Sequence, residues 1–306
     1  MANILRVIRT LLLVLLCGAV PAAACVVTPR TSVPLEPAAG HVLVTALLNG
    51  QPAQLVLDTG AERTMVTPAA VRRLGLALDR WVGTTIMGIG GMERHQNAVP
   101  TSFEVGGVPL QHPTVLHDAS LAVGRLPLNR IGRVPVDGLL GRDFLAAFDV
   151  LIDVPGRRLT LYLVRDCSGN FLPWRIPYAA IPTLSEYGRA LAVPVQVDGR
   201  ALRALLDTGA SRSLIIAPGM ARLGLTPDRL IGDVNGVARG IGRSGVTVQA
   251  HRFDTLLVGN QALHDPVLLV SPVRVVPTVD MLLGLDWLQA HQIWLSYSTM
   301  QVFVGG

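Results

Sequence analysis

The sequence predicts an all-β protein built from two similar lobes, with a few short helices. The chain has 306 residues, a length that corresponds to about two domains of typical size. Of these residues, 50% are apolar and 15% are charged, which supplies a buried core and excludes a disordered or fibrous protein. The apolar segments are short, are bounded by turn residues and recur along the chain, as paired β-strands do.

The two lobes are predicted from an internal repeat. Residues 41–61 align without gaps to residues 190–210, an offset of 149 that persists from 73–76 to 222–225. Two further segments repeat in the same order, 88–90 with 240–242 and 137–145 with 280–288. Self-similarity of this kind is typical of a structural unit that occurs twice. We therefore expect two copies of one unit, related by pseudo-two-fold symmetry.

Domain boundaries follow from the repeat and from the segments around it. We expect a first lobe at residues 41–165 and a second lobe at residues 186–306. Residues 166–185, rich in proline and aromatic side chains, are predicted to join the lobes. Residues 25–40 are predicted to form an N-terminal linker.

Each copy opens on a predicted β-hairpin. Apolar runs at 42–48 and 191–197 end in Asn-Gly and Asp-Gly dipeptides at Asn49 and Asp198, and both dipeptides favour tight turns. A proline near the start and a glycine after the end then bracket a short helix in each copy. These pairs are Pro68 with Gly75 and Pro218 with Gly224. Each copy closes on a second, hairpin-like pair of apolar runs.

The N-terminus has the pattern of a secretory signal peptide. Two arginines precede the apolar run 11–20, and a small-residue cleavage site of the Ala-x-Ala kind ends at Ala24. The apolar run is too short to span a bilayer comfortably. We expect residues 1–24 to be removed on export, which leaves the protein periplasmic, anchored at a membrane facing the periplasm, or secreted.

Cys25 leaves alternatives open. It directly follows the predicted cleavage site and resembles the cysteine of a bacterial lipoprotein lipobox, although Ala22 stands where such boxes usually carry leucine. Lipidation of Cys25 is one alternative and a plain secreted N-terminus is the other. A lipid at Cys25 is also the one membrane contact that we expect. Once the signal peptide is removed, Cys167 is the remaining cysteine, and a bridge between the two is open as well.

Charge and histidine spacing exclude several classes of function. All 26 basic residues are arginine, and they outnumber the 21 acidic residues to give a net charge of +5. Nucleic-acid binding uses basic residues clustered in a run or on one face, and no such run occurs. The seven histidines show no zinc-site spacing with cysteine, and no HExxH motif is present. We expect no nucleic-acid partner, no metal site and no cofactor.

Each copy carries the triplet Asp-Thr-Gly at the end of an apolar strand, beginning at Asp58 and at Asp207. A carboxylate in that position is costly to bury alone and therefore needs a partner or a function. If the lobes pack about a two-fold axis, the triplets meet and the carboxylates come to about 3 Å, where both cannot be ionised comfortably. The pair then shares one proton.

This arrangement predicts general acid/base catalysis of amide hydrolysis. The ionised carboxylate takes a proton from a trapped water while the protonated one donates to a carbonyl oxygen. The hydroxyls of Thr59 and Thr208 are expected to hydrogen-bond across the pair, and Gly60 and Gly209 to allow tight turns and a close backbone approach. Asp58 and Asp207 are the predicted catalytic residues, and these four neighbours support them.

Both copies resemble the retropepsin-like aspartic proteases. A lobe of that group carries Asp-Thr-Gly-Ala followed, some tens of residues later, by two apolar residues and glycine; both elements occur here at 58–61 with 139–141 and at 207–210 with 282–284. The resemblance implies closed β-barrel lobes of the acid protease fold, a polypeptide substrate and endopeptidase activity. Family members usually pair two identical chains, whereas both lobes lie on one chain here, so we expect a monomer.

The resemblance also implies a glycine-rich hairpin flap over a peptide cleft. One candidate flap contributes Gly88, Ile89 and Gly90, and the other contributes Gly240, Ile241 and Gly242. Glycines at these positions suit a mobile hairpin tip that opens to admit a chain and closes to exclude water. We take these six residues as the candidate substrate-binding residues.

A third implication concerns an ion pair in one lobe. Glu62 and Arg142 match an acidic residue and an arginine that pair in retropepsins, whereas the second copy has Ser211 and Leu285 at these positions. Both partners are missing together, as expected if they touch, because either charge alone would lack its counter-ion. We expect Glu62 and Arg142 to pair beside the cleft of the first lobe.

A second function is compatible with the same residues. The two triplets could persist as architecture in a non-catalytic periplasmic protein that binds peptides or assists assembly, because a fold does not by itself imply an activity. Catalysis requires the two carboxyl groups to face each other, and their separation distinguishes the two hypotheses.

Overall fold

The computed structural model describes residues 24–109, 120–127, 130–131, 134–184, 190–242, 244–275 and 278–305. The predicted signal peptide lies outside these residues except for Ala24. The strands are β1 (Val26–Pro34), β2 (Glu36–Ala38), β3 (His41–Leu48), β4 (Gln51–Leu57), β5 (Met65–Val66), β6 (Ala77–Gly88), β7 (Gly91–Val99), β8 (Phe103–Val105), β9 (Val108–Pro109), β10 (Ala122–Val123), β11 (Arg130–Ile131), β12 (Val134–Pro135), β13 (Gly138–Leu140), β14 (Asp149–Asp153), β15 (Arg158–Arg165), β16 (Tyr178–Pro182), β17 (Ala192–Val197), β18 (Arg200–Leu206), β19 (Leu214–Ile215), β20 (Val234–Arg239), β21 (Gly245–Arg252), β22 (Thr255–Val258), β23 (Gln261–His264), β24 (Val267–Val270), β25 (Met281–Leu283), β26 (Gln292–Ser296) and β27 (Gln301–Gly305). The helices are α1 (Pro68–Arg73), α2 (Arg142–Leu145), α3 (Ala217–Leu223) and α4 (Leu285–Leu288), with a 3-10 turn at Pro227–Leu230.

The predicted turns and helices are confirmed. Asn49 and Gly50 both have positive φ, as the tight turn between β3 and β4 requires. Helix α1 begins after Thr67, whose hydroxyl accepts a hydrogen bond from the Ala70 N–H at 3.1 Å. Helix α3 ends at Gly224, where a φ of 66° favours glycine. Among the described residues, no helix has the length and apolarity needed to cross a bilayer.

The two lobes are two curled sheets with the same strand order. The first runs β10-β5-β13-β4-β3-β8-β9, and the second contains the corresponding series β24-β19-β25-β18-β17-β22-β23. In each sheet the strand that carries the Asp-Thr-Gly triplet at its end lies between an antiparallel hairpin partner and a parallel strand. The all-β, two-lobed prediction is therefore confirmed, and the repeat is a repeat of topology.

A third sheet joins the lobes. Its order is β1-β15-β14-β26-β27-β16, so the closing hairpin of each lobe lies side by side with that of the other. Strands β14 and β26 are antiparallel, with Val150 opposite Leu295. Because these hydrogen bonds cross from one lobe to the other, they hold the lobes in one relative orientation.

The predicted linkers at 25–40 and 166–185 are corrected by this sheet. Strand β1 pairs along β15, from Val26 opposite Arg165 to Pro34 opposite Arg158, and β16 pairs along β27. The sequence did not indicate β1, because its side chains are mostly exposed and it contains prolines, which edge strands tolerate. The strand forms because its backbone pairs with the free edge of β15, although its side chains make no apolar face.

A disulfide between Cys25 and Cys167 closes the same region. It connects the start of β1 to the segment after β15. In this structure the Cys25 thiol is part of the bridge and is therefore not free to carry a lipid, the other alternative that the sequence left open. The bridge, which the sequence left open, is the alternative that the structure favours.

Each lobe also contains the same buried acid–arginine pair. Asp137 accepts a bond from Arg73 of α1 at 2.6 Å, and Asp280 accepts one from Arg222 of α3 at 2.9 Å. Each aspartate is nearly fully buried and also accepts a backbone N–H from the catalytic-strand hairpin, that of Gln54 in the first lobe. The pair therefore ties the helix to the segment that enters β13 or β25.

Candidate active site

The two predicted catalytic aspartates lie at the ends of corresponding strands. Asp58 follows β4 and Asp207 follows β18. The Asp58 N–H donates to Leu140 O and the Asp207 N–H donates to Leu283 O, both at 3.0 Å. The parallel strands β13 and β25 therefore hold the backbone of each aspartate at the centre of its sheet.

The two carboxyl groups face each other across the lobe boundary and hydrogen-bond to one another. A Cβ atom on Gly60 would lie 2.7 Å from the Asp207 carboxyl carbon, and a Cβ on Gly209 would lie 2.5 Å from that of Asp58. Real side chains do not approach so closely, so each glycine leaves the space that the opposite carboxyl occupies. The close approach expected for these glycines is confirmed.

Each carboxylate is also held by its own turn. Asp58 Oδ1 accepts the N–H groups of Gly60 and Ala61 at 3.0 and 2.9 Å. Asp207 Oδ1 accepts those of Gly209 and Ala210 at 3.0 and 3.1 Å. Two backbone donors on one oxygen orient each group, so that the remaining oxygen is free to bond with its partner or a substrate.

The threonines cross-connect the lobes as predicted. The N–H of Thr59 donates to Thr208 Oγ1 and the N–H of Thr208 donates to Thr59 Oγ1, each at 3.1 Å. The Thr59 hydroxyl donates to Leu206 O at 2.8 Å, and the Thr208 hydroxyl donates to Leu57 O at 2.7 Å. Both threonines are buried. The spacing of the carboxyl groups is thus set by backbone atoms of the opposite lobe.

A second bonded layer lies behind each turn. Asp143 accepts the N–H and the hydroxyl of Thr64 at 2.8 and 2.6 Å, and the Thr64 hydroxyl accepts the N–H of Gly141 at 3.1 Å. Ser213 and Asp286 repeat this arrangement in the second lobe. The contacts connect the Asp-Thr-Gly turn to the apolar-apolar-Gly element, which explains why both elements recur together in the sequence.

Burial shifts both aspartates towards their protonated forms. Burial, followed by the charge of Asp58, raises the pKa of Asp207 to about 8. Burial also raises the pKa of Asp58, while bonds from Ala61, Asp207 and Gly60 and the positive charge of Arg142 oppose that rise. The pair therefore shares one proton at neutral pH.

A cleft of about 430 Å³ lies directly over the carboxyl pair. Both lobes and both candidate flaps line it, and most of the lining side chains are aliphatic. Each aspartate is partly accessible from this cleft although protein atoms surround it. A polar pair at the floor of an apolar cleft is the usual composition of a ligand site.

The two predicted flaps are hairpins that meet over the cleft. Strands β6 and β7 form one flap, and β20 and β21 form the other. At the tips the Gly90 N–H donates to Ile241 O at 2.9 Å, and the Ser244 N–H donates to Gly90 O at 3.1 Å. A side chain on Gly242 would overlap the backbone of Gly90. In this state the flaps cover the cleft, and glycine is required where they cross.

Each flap tip packs against the opposite lobe. Ile89 of the first-lobe flap packs against the apolar cleft cluster of the second lobe, which includes Leu205 and Leu282. Ile241 of the second-lobe flap packs against the cluster of the first lobe, which includes Val56. Gly88, Ile89, Gly240 and Ile241 all line the cleft. Four of the six candidate substrate-binding residues therefore line the cleft, whereas Gly90 and Gly242 lie where the flap tips cross.

Glu62 and Arg142 do not form the expected ion pair. The structure's ion pairs among described residues do not include them, and Glu62 is exposed. Their backbones are neighbours, because the Arg142 N–H donates to Ala61 O at 3.0 Å and the Asp143 N–H donates to Glu62 O at 3.2 Å. The charge of Arg142 instead acts on Asp58, whose pKa it lowers.

His41 is among the cleft residues that sequence reasoning missed. It lies at the start of β3, lines the cleft and is close to the backbone of Gly209 in the opposite lobe. Burial lowers the pKa of its imidazole, although the backbone of Gly209 acts against this. The repeat contained a signal, because the equivalent residue in the second copy is Ala190, and a polar residue in one copy alone marks a local difference.

Comparison with known proteins agrees with this geometry. A family model described as aspartyl protease matches residues 44–144 and again residues 193–287, one match to each lobe. Among solved structures, the aspartic proteinase from Irpex lacteus superposes with a TM-score of 0.53 and 11% identity, covering 92% of this chain and 97% of that chain. This likeness shows the fold. No curated protein matches the sequence.

Proposed function

This chain belongs to the aspartyl protease family, as a tandem of two retropepsin-like lobes, and from that premise we propose that it is an exported endopeptidase. It hydrolyses peptide bonds with water activated between Asp58 and Asp207. One observation carries the proposal: two carboxyl groups from different lobes share a hydrogen bond at the floor of a flap-covered cleft.

The geometry supports a concerted use of the two groups. Asp58, as the ionised partner, accepts a proton from a water molecule while the water oxygen attacks the peptide carbonyl carbon. Asp207 donates its proton to the carbonyl oxygen, which gives a neutral tetrahedral intermediate. Asp58 then passes the proton that it took from the water to the nitrogen while Asp207 takes a proton from a hydroxyl of the intermediate. The C–N bond breaks, which releases an amine and a carboxylic acid and leaves the pair with one proton again.

The cleft supports an extended polypeptide as substrate. Its lining is mostly apolar next to the carboxyl pair, so apolar side chains of the substrate should flank the cleaved bond. The closed flaps exclude bulk water, which strengthens the electrostatic interactions in the site. Opening of the flaps, by breaking the bond from Gly90 to Ile241 and the bond from Ser244 to Gly90, would admit the chain.

Two features support export. The N-terminal segment has the order of a signal peptide, and the Cys25–Cys167 disulfide belongs to an oxidising compartment. The mass of the mature protein recovered from the periplasm or medium, measured with and without reductant, tests both features. A chain that retains residues 1–24 in the cytoplasm would contradict the proposal.

Replacement of the aspartates tests the catalytic part. We expect Asp58→Asn and Asp207→Asn each to abolish cleavage of a proteome-derived peptide library, because either change removes the base or the acid and leaves the shape unchanged. A thermal unfolding curve similar to that of the wild type shows that the fold is retained. Peptidase activity that persists in both single variants would contradict the mechanism. A wild type that binds peptides without cutting them would favour the non-catalytic alternative.

A further inference from the structure

The two halves of the cleft differ in charge although their backbones repeat. We define the second-lobe half by the residues around the Asp207 turn and the first-lobe half by those around the Asp58 turn. The described lining residues other than the two aspartates include four polar side chains, His41, Ser211, Arg212 and Arg239. All are neutral or basic. None of the described lining residues is acidic apart from the catalytic pair.

Three of these four polar residues have a different residue at the equivalent position of the repeat. The repeat pairs His41 with Ala190, Ser211 with Glu62, and Arg239 with Met87. The first-lobe half is instead lined by aliphatic side chains, among them Val56, Leu126 and Leu139. A substrate that fits both halves must therefore be chemically different on the two sides of the carboxyl pair.

His41 belongs to the second-lobe half although it lies in the first lobe. Its ring lies close enough to the backbone of Gly209 to affect the imidazole pKa, and a Cβ on the preceding residue, Gly40, would lie 3.2 Å from the Ser211 Cβ. Its Nδ1 atom is buried and has no hydrogen-bond partner. A buried polar atom without a partner is costly, and a nearby carboxylate would satisfy it by drawing a proton onto the ring.

Arg212 and Arg239 add positive charge to the same half. Arg212 follows Ser211 and donates one bond to Val267 O at 3.0 Å, which leaves further N–H donors on its guanidinium group. Its first-lobe equivalent, Arg63, bonds to Ser120 O and is not among the cleft-lining residues. Arg239 follows Ala238, a flap residue that packs against the second-lobe cluster. Both arginines are exposed and therefore available to a ligand.

We infer that the second-lobe half of the cleft binds an acidic side chain of the substrate, contacted by Arg212, Arg239 and His41. The preferred substrate is then a polypeptide with aspartate or glutamate on one side of the cleaved bond and apolar residues next to the bond. This inference rests on the proposed function and specifies its substrate class. It also implies one direction of binding, because the opposite half offers no matching positive charge among the described lining residues.

Matched peptides provide the test. Cleavage sites are first located in a proteome-derived library, and one well-cut sequence is then made with glutamate or glutamine at each of four positions on either side of the bond. Glutamine has nearly the shape of glutamate without its charge. We expect kcat/KM to favour glutamate about tenfold at a position on one side of the bond, because charge-assisted bonds are stronger than neutral ones and the exposure of the arginines limits the gain.

Replacements taken from the other half assign the effect to residues. We expect Arg239→Met, which copies Met87, and Arg212→Gln each to move the glutamate-to-glutamine ratio towards one. Met87→Arg should create a second preference for glutamate on the opposite side of the bond. Arg30→Gln, an exposed change on β1 away from the cleft, serves as the control for loss of one positive charge and should leave the ratio unchanged.

A binding measurement separates this inference from the proposed function. Fluorescently labelled glutamate and glutamine peptides are titrated against the Asp207→Asn variant. We expect the Kd of the glutamine peptide to be about ten times that of the glutamate peptide. A ratio near one, or a ratio that neither Arg212→Gln nor Arg239→Met changes, overturns the inference even if the wild type cuts peptides. A ratio near ten, together with a wild type that cuts no peptide, supports the inference and overturns the proposed activity.

Discussion

The first lobe pairs Arg73 with Asp137, and the second lobe pairs Arg222 with Asp280 at the same point of the repeat. The crossed threonine bonds and the bonds of each carboxylate to its own turn are likewise the same in both lobes, within 0.2 Å. By contrast, Glu62 of the first lobe is replaced by Ser211 of the second. The two lobes therefore share the contacts that position the carboxyl pair.

This contrast indicates two different constraints on the repeat. One proton must be shared by two carboxyl groups, so both halves need the same backbone geometry around them. A polypeptide has a direction and different side chains on either side of each bond. Two cleft walls with different residues therefore match such a substrate better than two identical walls. A homodimer of one lobe must carry identical walls, whereas a single chain is free of that restriction.

The largest expected effect tests the equivalence of the two turns. We expect Gly60→Ala and Gly209→Ala each to lower kcat/KM at least a hundredfold, because the added methyl would occupy the position of the opposite carboxyl and a shift of about 1 Å costs about that factor. Steady-state kinetics on one peptide measures both. A large loss in one variant with near-normal activity in the other would show that the turns are not equivalent.

The next prediction distinguishes the two aspartates by pH. Asp207 binds its proton more tightly when folded, with a pKa of about 8 against 3.8 unfolded, so the free energy of unfolding should fall as pH rises from about 4 to about 8. Asp207→Asn cannot lose a proton, and it should therefore be more stable than the wild type near pH 8 and lose this advantage towards pH 4. Urea unfolding at each pH measures the difference. Equal stability at all pH values would contradict the raised pKa.

The smallest expected effect concerns the buried acid–arginine pairs. We expect Arg73→Met and Arg222→Met each to lower the free energy of unfolding by about 1–3 kcal/mol, because each leaves a buried carboxylate without its charged partner; the exposure of the arginines keeps this below the value for a fully buried pair. Urea unfolding is again the measurement, with Arg72→Met on the exposed face of α1 as control. A clear loss in one lobe with no loss in the other would show that the lobes depend on these pairs unequally.

The repeat made much of this protein predictable from sequence. A triplet at the end of an apolar strand, found twice at one offset, predicted the facing carboxyl groups, the threonine bridge and the two-lobed β fold. Turn dipeptides such as Asn49-Gly50 predicted hairpins, because few residues adopt the required backbone angles. These predictions succeeded because they depend on local chemistry repeated in both copies.

Other features depend on neighbours that are distant in the chain. Strand β1 forms on a free edge of β15, and no pattern in its own side chains indicates it. The Glu62–Arg142 pair was inferred from two residues that vary together, yet the structure places only their backbones side by side. His41 reaches the cleft because β3 of one lobe starts beside Gly209 of the other.

The sequence alone determined which two groups come together, since an aspartate that is buried at the end of a hydrophobic strand needs a partner. Which groups surround a substrate was decided only when the lobes came together. Flap crossing, the closing sheet and the unequal cleft walls all arise between segments more than a hundred residues apart, and contacts at that separation leave no periodic trace in the sequence.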